Sequence, residues 1–301
     1  MSKKVIVLSG GFSAEREVSL ISGKGVAEAL QQECYQVILY DLQNIRDFMA
    51  VLEKEKPDVV FNALHGNWGE DGEIQALLDL LQVPYTHSGV RASAIGMDKG
   101  LTKSVCETCG IKTAQGWRMC ADEFLSKART LPMPYVVKPV CDGSSVGVYI
   151  IETADDLHKV KINKNCELLI EQYIAGQELT CAVIDNQTYV VTELRPQTDF
   201  YDYHNKYTSG ATEHILPAEI PDDVAEICKN YALRIHKALG CKDVSRSDFR
   251  YNPQDGVVFL EINTHPGMTP LSLVPEQAQY AGISYGKLCS LLVEKADCRR
   301  M

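Results

Sequence analysis

A β-hairpin is predicted most clearly by the segment Val244–Asn263, which reads VSRSDFRYNPQDGVVFLEIN. Two strand-like runs, Ser245–Asn252 and Val257–Asn263, flank the turn sequence Pro-Gln-Asp-Gly. A four-residue loop with Pro and Gly is a normal connection between antiparallel strands. This segment is therefore expected to form two neighbouring strands of a sheet.

The register of the hairpin decides which side chains share a face. Pairing Asn252 with Val257 places Asp248 opposite Glu261, and side chains alternate between the faces along each strand. One face then carries polar groups, namely Arg246, Asp248, Glu261 and Asn263. The other face is expected to pack in the core and carries Phe249, Tyr251, Val258, Leu260 and Ile262.

Two carboxylates and an amide oxygen on one face point to a metal site. Oxygen ligands suit Mg²⁺, which commonly takes one or two carboxylates together with phosphate oxygens and water. A solvated face with a cross-strand Arg–Asp pair would also account for the pattern. A slip of one residue in the register would destroy the arrangement.

The first third of the chain alternates between strand and helix patterns, which is typical of a parallel sheet covered by helices. The predicted elements are Val5–Leu8 (strand), Ser13–Leu30 (helix), Tyr35–Tyr40 (strand), Ile45–Glu55 (helix), Asp58–Phe61 (strand), Asp71–Leu81 (helix) and a strand starting at Val83–Tyr85. These elements predict an N-terminal α/β domain over residues 1–96.

The remainder of the chain has an α+β pattern with antiparallel hairpins. Its predicted elements are a helix at Leu101–Cys109, strands at Tyr135–Pro139, Val148–Ile151, Leu168–Glu171 and Leu179–Ile184, a polar loop at Asp199–Thr212 and a helix at Asp222–Leu239. We expect a central domain over residues 97–180 and a C-terminal domain over residues 181–301, with a cleft between domains.

Composition and charge exclude several classes of protein. The 301 residues carry a formal net charge of −10, which argues against a general nucleic-acid binder or a binder of anionic membranes. No stretch approaches the roughly 20 apolar residues that span a bilayer. The eleven cysteines are an odd number without a regular framework, so reduced thiols and a cytoplasmic location are expected. The pair Cys106 and Cys109 is expected to be buried helix thiols rather than a zinc or redox motif.

Lys138 and the glycine-rich run Gly143–Gly147 suggest a phosphate-binding site. Lys138 lies at the end of an apolar strand, and the glycine-rich run follows it. Glycine lets the backbone approach a phosphate closely, and serine hydroxyls and N–H groups donate to it. Such a run is also common in plain hairpin loops. The sequence has no Walker A motif, and no G-x-G-x-x-G follows Val5–Leu8, so a dinucleotide oxidoreductase is poorly supported.

Two further segments have both a structural and a functional interpretation. Ser13 can cap the helix that follows it, and Glu15 can complement the helix dipole. The run Glu171–Ile174, followed by Glu178, fits either an edge that binds an adenosine or an exposed connection between strands.

Together these pieces closely resemble the D-alanine–D-alanine ligases of the ATP-grasp superfamily. The resemblance spans nearly the whole chain and rests on the joint order of its motifs. These are GGFSAEREVS (10–19), ALHG (63–66), GEDG (69–72), MDK (97–99), KP (138–139), DGSSVG (142–147), FYDY (200–203), KY (206–207), EINT (261–264), PGMT (266–269) and SLVP (272–275).

The resemblance implies a three-domain ATP-grasp fold with an N-terminal parallel-sheet domain. It also implies ATP-dependent joining of two D-alanines through a D-alanyl phosphate, for peptidoglycan precursor synthesis. ATP, two Mg²⁺ ions (replaceable by Mn²⁺), D-alanine and a homodimer follow from the same resemblance. Neither nucleic acid nor a membrane is an expected partner.

Residue roles also follow from the resemblance, position by position. Residues expected to hold ATP are Lys99, Lys138, Glu171, Tyr173, Ile174, Glu178 and Lys206. The expected metal ligands are Asp248, Glu261 and Asn263, which agrees with the hairpin argument. Residues expected to act in catalysis or substrate binding are Glu15, Val18, His65, Ser144, Tyr207, Arg246, Gly267, Ser272 and Leu273.

Among these, Glu15 would fix the ammonium of the first D-alanine and hydrogen-bond to Ser144 and Tyr207. Arg246 and the Gly267 N–H would form an oxyanion hole, and Ser272 with Leu273 would receive the carboxylate of the second D-alanine. The loop Asp199–Thr212 is expected to close as a lid.

The chain departs from its relatives at Ser245-Arg246-Ser247-Asp248, where they usually have Gly-Arg, an aliphatic residue and Asp. Ser247 falls on the predicted core face, so loose packing is expected there. His265 lies at a variable position, which favours a structural role. Two alternatives remain, namely another carboxylate ligase such as a D-alanine–D-lactate ligase, and a nucleotide-binding regulator without catalysis.

Overall fold

The N-terminal sheet is parallel, with the strand order β2-β1-β3. The computed structural model describes residues 2–141, 147–163, 166–196, 212–270 and 272–298. The elements of the first domain are β1 (Lys4–Gly10), α1 (Arg16–Gln32), β2 (Gln36–Leu42), α2 (Ile45–Glu55), β3 (Val59–Asn62), α3 (Glu73–Leu80) and α4 (Val90–Met97). The predicted alternation of strand and helix is confirmed.

The strand predicted to start at Val83–Tyr85 does not form. Only Tyr85 makes an isolated bridge, to Val60 on one side and Asp297 on the other. Pro84 has no N–H to donate, and His87 has φ +70°, so the chain turns away after one pair. The sheet therefore has three strands with a single extra bridge at its edge.

Both faces of this sheet are buried, as expected for a parallel sheet. One face packs Ile6, Leu8, Phe48, Val60, Leu78 and their neighbours. The other packs α1 together with a C-terminal helix, α9 (Tyr285–Lys295), and with the ends of two strands of the C-terminal sheet. Burial of this face therefore ties the first and last segments of the chain into one core.

The central sheet is antiparallel, with the order β4-β7-β5-β6. It follows α5 (Lys99–Thr108) and consists of β4 (Gly116–Cys120), β5 (Tyr135–Pro139), β6 (Tyr149–Ile151) and β7 (Glu167–Gln172), with α6 (Ala121–Lys127) packed beside it. The predicted strands in this region are confirmed within one or two residues at each end. β4 was not predicted.

The C-terminal sheet is also antiparallel and has the order β10-β9-β8-β11-β12. Its strands are β8 (Gln177–Ile184), β9 (Gln187–Pro196), β10 (Thr212–Ile215), β11 (Val244–Asn252) and β12 (Gly256–Asn263). Helices α7 (Asp222–Leu239) and α5 pack on its inner face. The predicted boundary at residues 180 and 181 falls inside β8, so the three-domain division stays a prediction.

One parallel sheet and two antiparallel sheets confirm the predicted mixture of α/β and α+β architecture. Within the described ranges, no helix is both long and apolar enough to cross a bilayer.

Candidate active site

The hairpin of β11 and β12 has the predicted pairing at its functional end. Asp248 pairs with Glu261, and Arg246 pairs with Asn263. The pairing predicted beside the turn is wrong, because Asn252 pairs with Gly256 and Tyr251 with Val257. The register shifts between Asp248 and Phe249, so Leu260 is an extra residue on β12. This β-bulge restores the register that the turn alone would have shifted.

The same bulge corrects the predicted core face. Phe249 pairs with Phe259 rather than with Leu260, and the core contains Val257 and Phe259. Val258 lies in a separate small cluster on the other side of the sheet. On β12, the extra residue exchanges the two faces for the side chains on the turn side of it, which the alternation rule could not anticipate.

The Arg246 and Asp248 side of the polar face is enclosed rather than solvated. The Arg246 guanidinium forms two hydrogen bonds to Asp248, with Nε 2.9 Å from Oδ1 and Nη2 2.8 Å from Oδ2. Their side chains are only 14% and 11% exposed. The Thr180 hydroxyl donates to Asp248 Oδ1 at 2.7 Å, and Asn263 Nδ2 lies 3.5 Å from Asp248 Oδ2. An Arg–Asp pair therefore exists, but along β11 and inside the site.

A lysine approaches the opposite acid from α5. Asp98 caps this helix by accepting a hydrogen bond from the Leu101 N–H at 2.8 Å, so the helix begins at Lys99. Lys99 Nζ lies 3.4 Å from Glu261 Oε2. Each carboxylate of the pair thus has its own cation, Arg246 for Asp248 and Lys99 for Glu261.

The donor set fits a Mg²⁺ ion that also takes phosphate oxygens. Asp248, Glu261 and Asn263 supply two carboxylates and one amide oxygen from adjacent positions on paired strands. Elsewhere, in the part of the chain that the structure describes, no group of three or more His, Cys, Asp or Glu side chains is placed to hold a metal.

A second charged group lies between the central and C-terminal sheets. The carboxylate of Glu171, at the end of β7, contacts Lys138 with Oε2 at 2.5 Å and Lys103 with Oε1. All three side chains are buried. Burial by itself would lower the pKa of Lys138, but the carboxylates of Glu171 and Glu261 raise it above its ordinary value. Burial would raise the pKa of Glu171, but Lys138 and Lys103 hold it low.

The segment after Glu171 is partly exposed, since Gln172, Ala175 and Gly176 face solvent, but it is anchored at two points. Ile174 is buried against Ala114 and Val258, and the Tyr173 N–H donates to the Pro134 carbonyl at 3.2 Å. Further on, Glu178 Oε2 lies 2.8 Å from Arg250 Nη2. Ile174 therefore anchors this edge in a small apolar cluster, and its contact with adenine stays a prediction.

The N-terminal candidate residues surround Glu15. Helix α1 begins at Arg16 with Glu15 as its N-cap residue, so the predicted cap at Ser13 is wrong. The Ser13 hydroxyl instead accepts from the Glu15 N–H at 3.1 Å and donates to the His65 carbonyl at 2.6 Å. Gly66 has φ +68°, and a Cβ there would lie 2.7 Å from Glu15 Oε2. Only glycine fits this position.

The His65 ring already has partners at both nitrogens. Nε2 lies 3.0 Å from Ser22 Oγ, and Nδ1 lies 3.1 Å from Glu70 Oε1. His65 thus links α1 to the loop that follows β3. A direct contact of His65 with a substrate stays a prediction, and Val18, which is buried on α1, likewise has no tested role.

The residues of the acceptor side lie at the start of α8 (Leu273–Tyr280). Ser272 Oγ accepts from the Thr269 N–H at 3.1 Å and lies 2.8 Å from Thr269 Oγ1. A Cβ on Gly267 would lie 3.1 Å from Ser272 Oγ, so the two candidates are neighbours. Leu273 is buried against Leu194, which leaves its backbone rather than its side chain for a ligand.

Ser144, Lys206 and Tyr207 lie outside the described residues, as do Gly143 and all of the predicted lid loop except Thr212. Their roles stay predictions.

Two family models, which describe the N-terminal and C-terminal parts of the same enzyme, match this chain. The D-ala D-ala ligase C-terminus matches residues 104–294, and the D-ala D-ala ligase N-terminus matches residues 4–57 and 46–88. This chain belongs to the D-alanine–D-alanine ligase family.

Relatives and solved structures agree with this assignment. The D-alanine–D-alanine ligase of Parvibaculum lavamentivorans is 49% identical and is matched over 99% of each chain. That of Novosphingobium aromaticivorans is 51% identical over 97% of this chain and 96% of its own. The Bacillus anthracis ligase complexed with ATP superposes with a TM-score of 0.84 at 32% identity, covering 98% of this chain and 97% of that chain. The VanG D-Ala:D-Ser ligase of Enterococcus faecalis gives 0.80 at 27%, covering 98% and 99%. The ATP-grasp fold is thereby confirmed.

The departures from the D-alanine–D-alanine ligase pattern have structural explanations. Ser245 is buried, and its hydroxyl lies 2.8 Å from His236 Nδ1. Ser247 is buried on the core face, where its hydroxyl has no partner among the described residues. His265 packs against His87 with ring centroids 4.0 Å apart, and burial lowers its pKa well below the ordinary value. The expected structural role of His265 fits this buried setting.

All eleven cysteines of this chain are free thiols. Cys106 is buried on α5, and burial raises its pKa to about 12. The expectation of buried helix thiols is confirmed for Cys106, whereas Cys109 is half-buried and caps the C-terminal end of α5.

Sequence reasoning missed three residues that support the site, Lys103, Thr180 and Gln277. Lys103 follows Lys99 by four positions on α5, so the i,i+4 spacing on one helix face was an available signal. Thr180 and Gln277 come from distant elements, and no local pattern marks them.

Proposed function

We propose that this chain joins two molecules of D-alanine at the expense of ATP, with release of ADP and phosphate. The observation that carries the proposal is that Asp248 and Glu261 lie opposite each other, with Lys99 and Lys138 close to Glu261, in a chain of this family. Full-length identity near 50% to D-alanine–D-alanine ligases supports the reaction. The product would be a precursor of peptidoglycan.

The nucleotide site is proposed between the central and C-terminal sheets. Lys138 and Lys99 would neutralise phosphate charge, and the apolar surface at Ile174 would pack against the adenine. Tyr173 and Glu171 would border the adenine, and Glu178 would face the ribose. Lys206 would contact the terminal phosphate. A neighbour of this fold was solved with ATP, which supports a nucleotide in the cleft.

Asp248, Glu261 and Asn263 would hold one or two Mg²⁺ ions, or Mn²⁺. Bound there, the ions supply charge neutralisation for phosphoryl transfer. Arg246 and Lys99 balance the same carboxylates within the protein. If the Asp248 carboxylate released Arg246, the guanidinium would be free to face the reacting carbonyl.

In the first step, a carboxylate oxygen of D-alanine attacks the terminal phosphorus of ATP, and ADP leaves. Two anions must approach each other, so positive charge from Lys99 and Lys138 lowers the barrier. Glu15 would hold the ammonium of this D-alanine, with Ser144 and Tyr207 completing the contact. The loop around Gly66 would fix the position of the Glu15 carboxylate.

In the second step, the amine of the second D-alanine attacks the carbonyl carbon of the acyl phosphate. The amine loses a proton, the carbon–oxygen bond to phosphate breaks, and inorganic phosphate leaves. Arg246 and the Gly267 N–H would stabilise the negative charge on the tetrahedral oxygen, and loss of one such donor commonly costs about 3–4 kcal/mol. Ser272 and the backbone of Leu273 would receive the second carboxylate.

The direct test incubates the protein with ATP, Mg²⁺ and D-alanine and measures phosphate and D-alanyl-D-alanine together. We expect equal amounts of both products and no phosphate release without D-alanine. ATP binding without turnover would support the regulator instead. Replacing the second substrate by D-lactate or D-serine tests the acceptor, because the VanG relative shares the fold but is a D-Ala:D-Ser ligase.

The metal ligands are tested by Asp248→Asn and Glu261→Gln. We expect each to reduce turnover at least 100-fold while the melting temperature changes by only a few degrees. Parallel loss of melting temperature and activity would instead indicate a structural pair. A homodimer is proposed from the family and is checked by light scattering.

A further inference from the structure

Three buried side chains form a charged triad at the proposed nucleotide site, defined here as Lys103, Glu171 and Lys138. Each carboxylate oxygen of Glu171 contacts one lysine, Oε1 with Lys103 and Oε2 with Lys138. Lys103 Nζ also donates to the Ala114 carbonyl at 2.5 Å. The two lysines therefore share the acid symmetrically, although only Lys138 precedes the glycine-rich loop.

The charges of the triad do not cancel. Two ammonium groups and one carboxylate leave a net charge of +1, and each residue is less than a tenth exposed. An unbalanced charge in such surroundings is costly unless an anion can approach it. The carboxylate of Glu261 also acts on Lys138 and raises its pKa together with Glu171. Lys138 is thus the member of the triad that faces the metal-binding hairpin, where phosphate is proposed to bind.

Lys103 is fixed in place by the elements around it. It lies one helical turn after Lys99 on α5, so a single helix face supplies the contact to Glu261 and the contact to Glu171. On the far side, a Cβ on Gly116 would lie 3.2 Å from Lys103 Nζ and 2.6 Å from the Ile170 carbonyl. β4 closes over this lysine at that point, which leaves it little freedom to move.

We propose that Lys103 is a positioning residue for nucleotide binding, which acts by occupying one oxygen of Glu171 so that the Lys138 ammonium stays available to a phosphate of ATP. Without Lys103, Glu171 would be free to pair with Lys138 through both oxygens. The triad would then be neutral, and ATP would have to compete with a stronger internal ion pair. This role rests on the proposed function only in taking ATP as the ligand.

The test compares Lys103→Met with wild type by calorimetric titration of a non-hydrolysable ATP analogue in the presence of Mg²⁺. We expect the Kd to rise at least tenfold. In steady-state assays the KM for ATP rises by a similar factor, kcat falls less than threefold and the KM for D-alanine is unchanged. Lys127→Met is the matched control, because it breaks a lysine–glutamate pair to Glu123 on the exposed surface of the same domain.

A second variant separates positioning from general damage. Glu171→Gln removes the acid that captures Lys138, so we expect Lys103→Met to weaken nucleotide binding less than threefold when it is made in the Glu171→Gln background, with Glu171→Gln alone as the reference. If Lys103→Met does not fold, Lys103→Gln takes its place, since an amide still donates to the Ala114 carbonyl without the charge.

Unchanged nucleotide affinity in a folded Lys103 variant would overturn the inference. An equal loss from Lys103→Met in the wild-type and Glu171→Gln backgrounds would also overturn it. Failure of wild type to form dipeptide would contradict the proposed function instead, and the binding comparison would still decide the role of Lys103.

Discussion

The free-energy cost of a buried polar residue in this protein depends on whether its polar atoms form hydrogen bonds. Ser245 and Ser247 lie two positions apart on β11 and are both fully buried. The Ser245 hydroxyl meets His236 Nδ1, whereas the Ser247 hydroxyl has no partner in the described ranges. A buried hydroxyl without a partner costs about 1–3 kcal/mol. The looseness expected at Ser247 is thus a polar defect in the core.

Replacing these two serines should therefore have opposite effects on stability. We expect Ser247→Ala to raise the free energy of unfolding by about 1 kcal/mol, because the unpartnered hydroxyl is removed. Ser245→Ala should lower it by a similar amount, because His236 loses its partner. Urea denaturation measures both, and a loss of stability in Ser247→Ala would contradict the account.

Histidine burial makes stability depend on pH. Burial lowers the pKa of His236 to about 4, with a smaller contribution from Lys237. In the unfolded chain a histidine titrates near 6.5. Stability from the neutral ring is complete above pH 6.5 and is lost as the pH falls toward 4, since only the unfolded state gains the proton. The slope is about 1.4 kcal/mol per pH unit.

We expect His236→Gln to flatten this decline. Between pH 6.5 and 4.5 the free energy of unfolding of wild type should fall by about 2 kcal/mol more than that of the variant. Urea denaturation at several pH values gives the comparison, with His158→Gln as control because that ring is exposed. Parallel curves for wild type and His236→Gln would show that the ring does not titrate as described.

At the scale of elements, an irregularity in β8 is held by a helix. The register between β8 and β9 shifts around Ala182, and the Ala182 N–H donates to Gln277 Oε1 at 2.8 Å. Gln277 Nε2 donates to the Thr180 carbonyl and to Thr192 Oγ1. Because Thr180 also donates to Asp248, this glutamine connects α8 with the proposed metal site.

Replacement of Gln277 by leucine should be strongly destabilising. It leaves the Ala182 N–H and the Thr180 carbonyl without that partner, so we expect the free energy of unfolding to fall by about 2–3 kcal/mol. Gln279→Leu on the same helix is the control, because that side chain is exposed. Urea denaturation decides the matter, and equal stability of the two variants would disprove the connecting role.

At the scale of the whole molecule, the first and last segments share one core, and the proposed nucleotide site lies between two sheets. A ligand bound between them stabilises the folded state by mass action, by about 2.7 kcal/mol at one hundred times its Kd. Binding should therefore be visible as global stabilisation.

We expect a non-hydrolysable ATP analogue with Mg²⁺ to raise the melting temperature by several degrees. Removal of Mg²⁺ with EDTA, or Glu261→Gln, should remove most of this shift, because the proposed site holds metal and phosphate jointly. Differential scanning fluorimetry provides the measurement. A full shift in EDTA would argue against a metal at Asp248, Glu261 and Asn263.

The sequence by itself determined the alternation of strands and helices in the N-terminal domain, the facing of Asp248 and Glu261 and the family of the chain. Alternating patterns, turn residues and sequence motifs are local features, because each is formed by residues that are close together in the sequence. Helices such as Ile45–Glu55 and Asp222–Leu239 were predicted to the residue for this reason.

Only the tertiary structure decided the bulge at Leu260, the triad around Glu171 and the links through Thr180 and Gln277. The bulge exchanged Val258 and Leu260 for Val257 and Phe259 in the core, because one extra residue reverses the alternation on one side of it. The triad joins α5, β5 and β7, whose sequence positions are far apart. Such contacts depend on how sheets and helices pack against each other, and that packing has no signature in any single stretch of the chain.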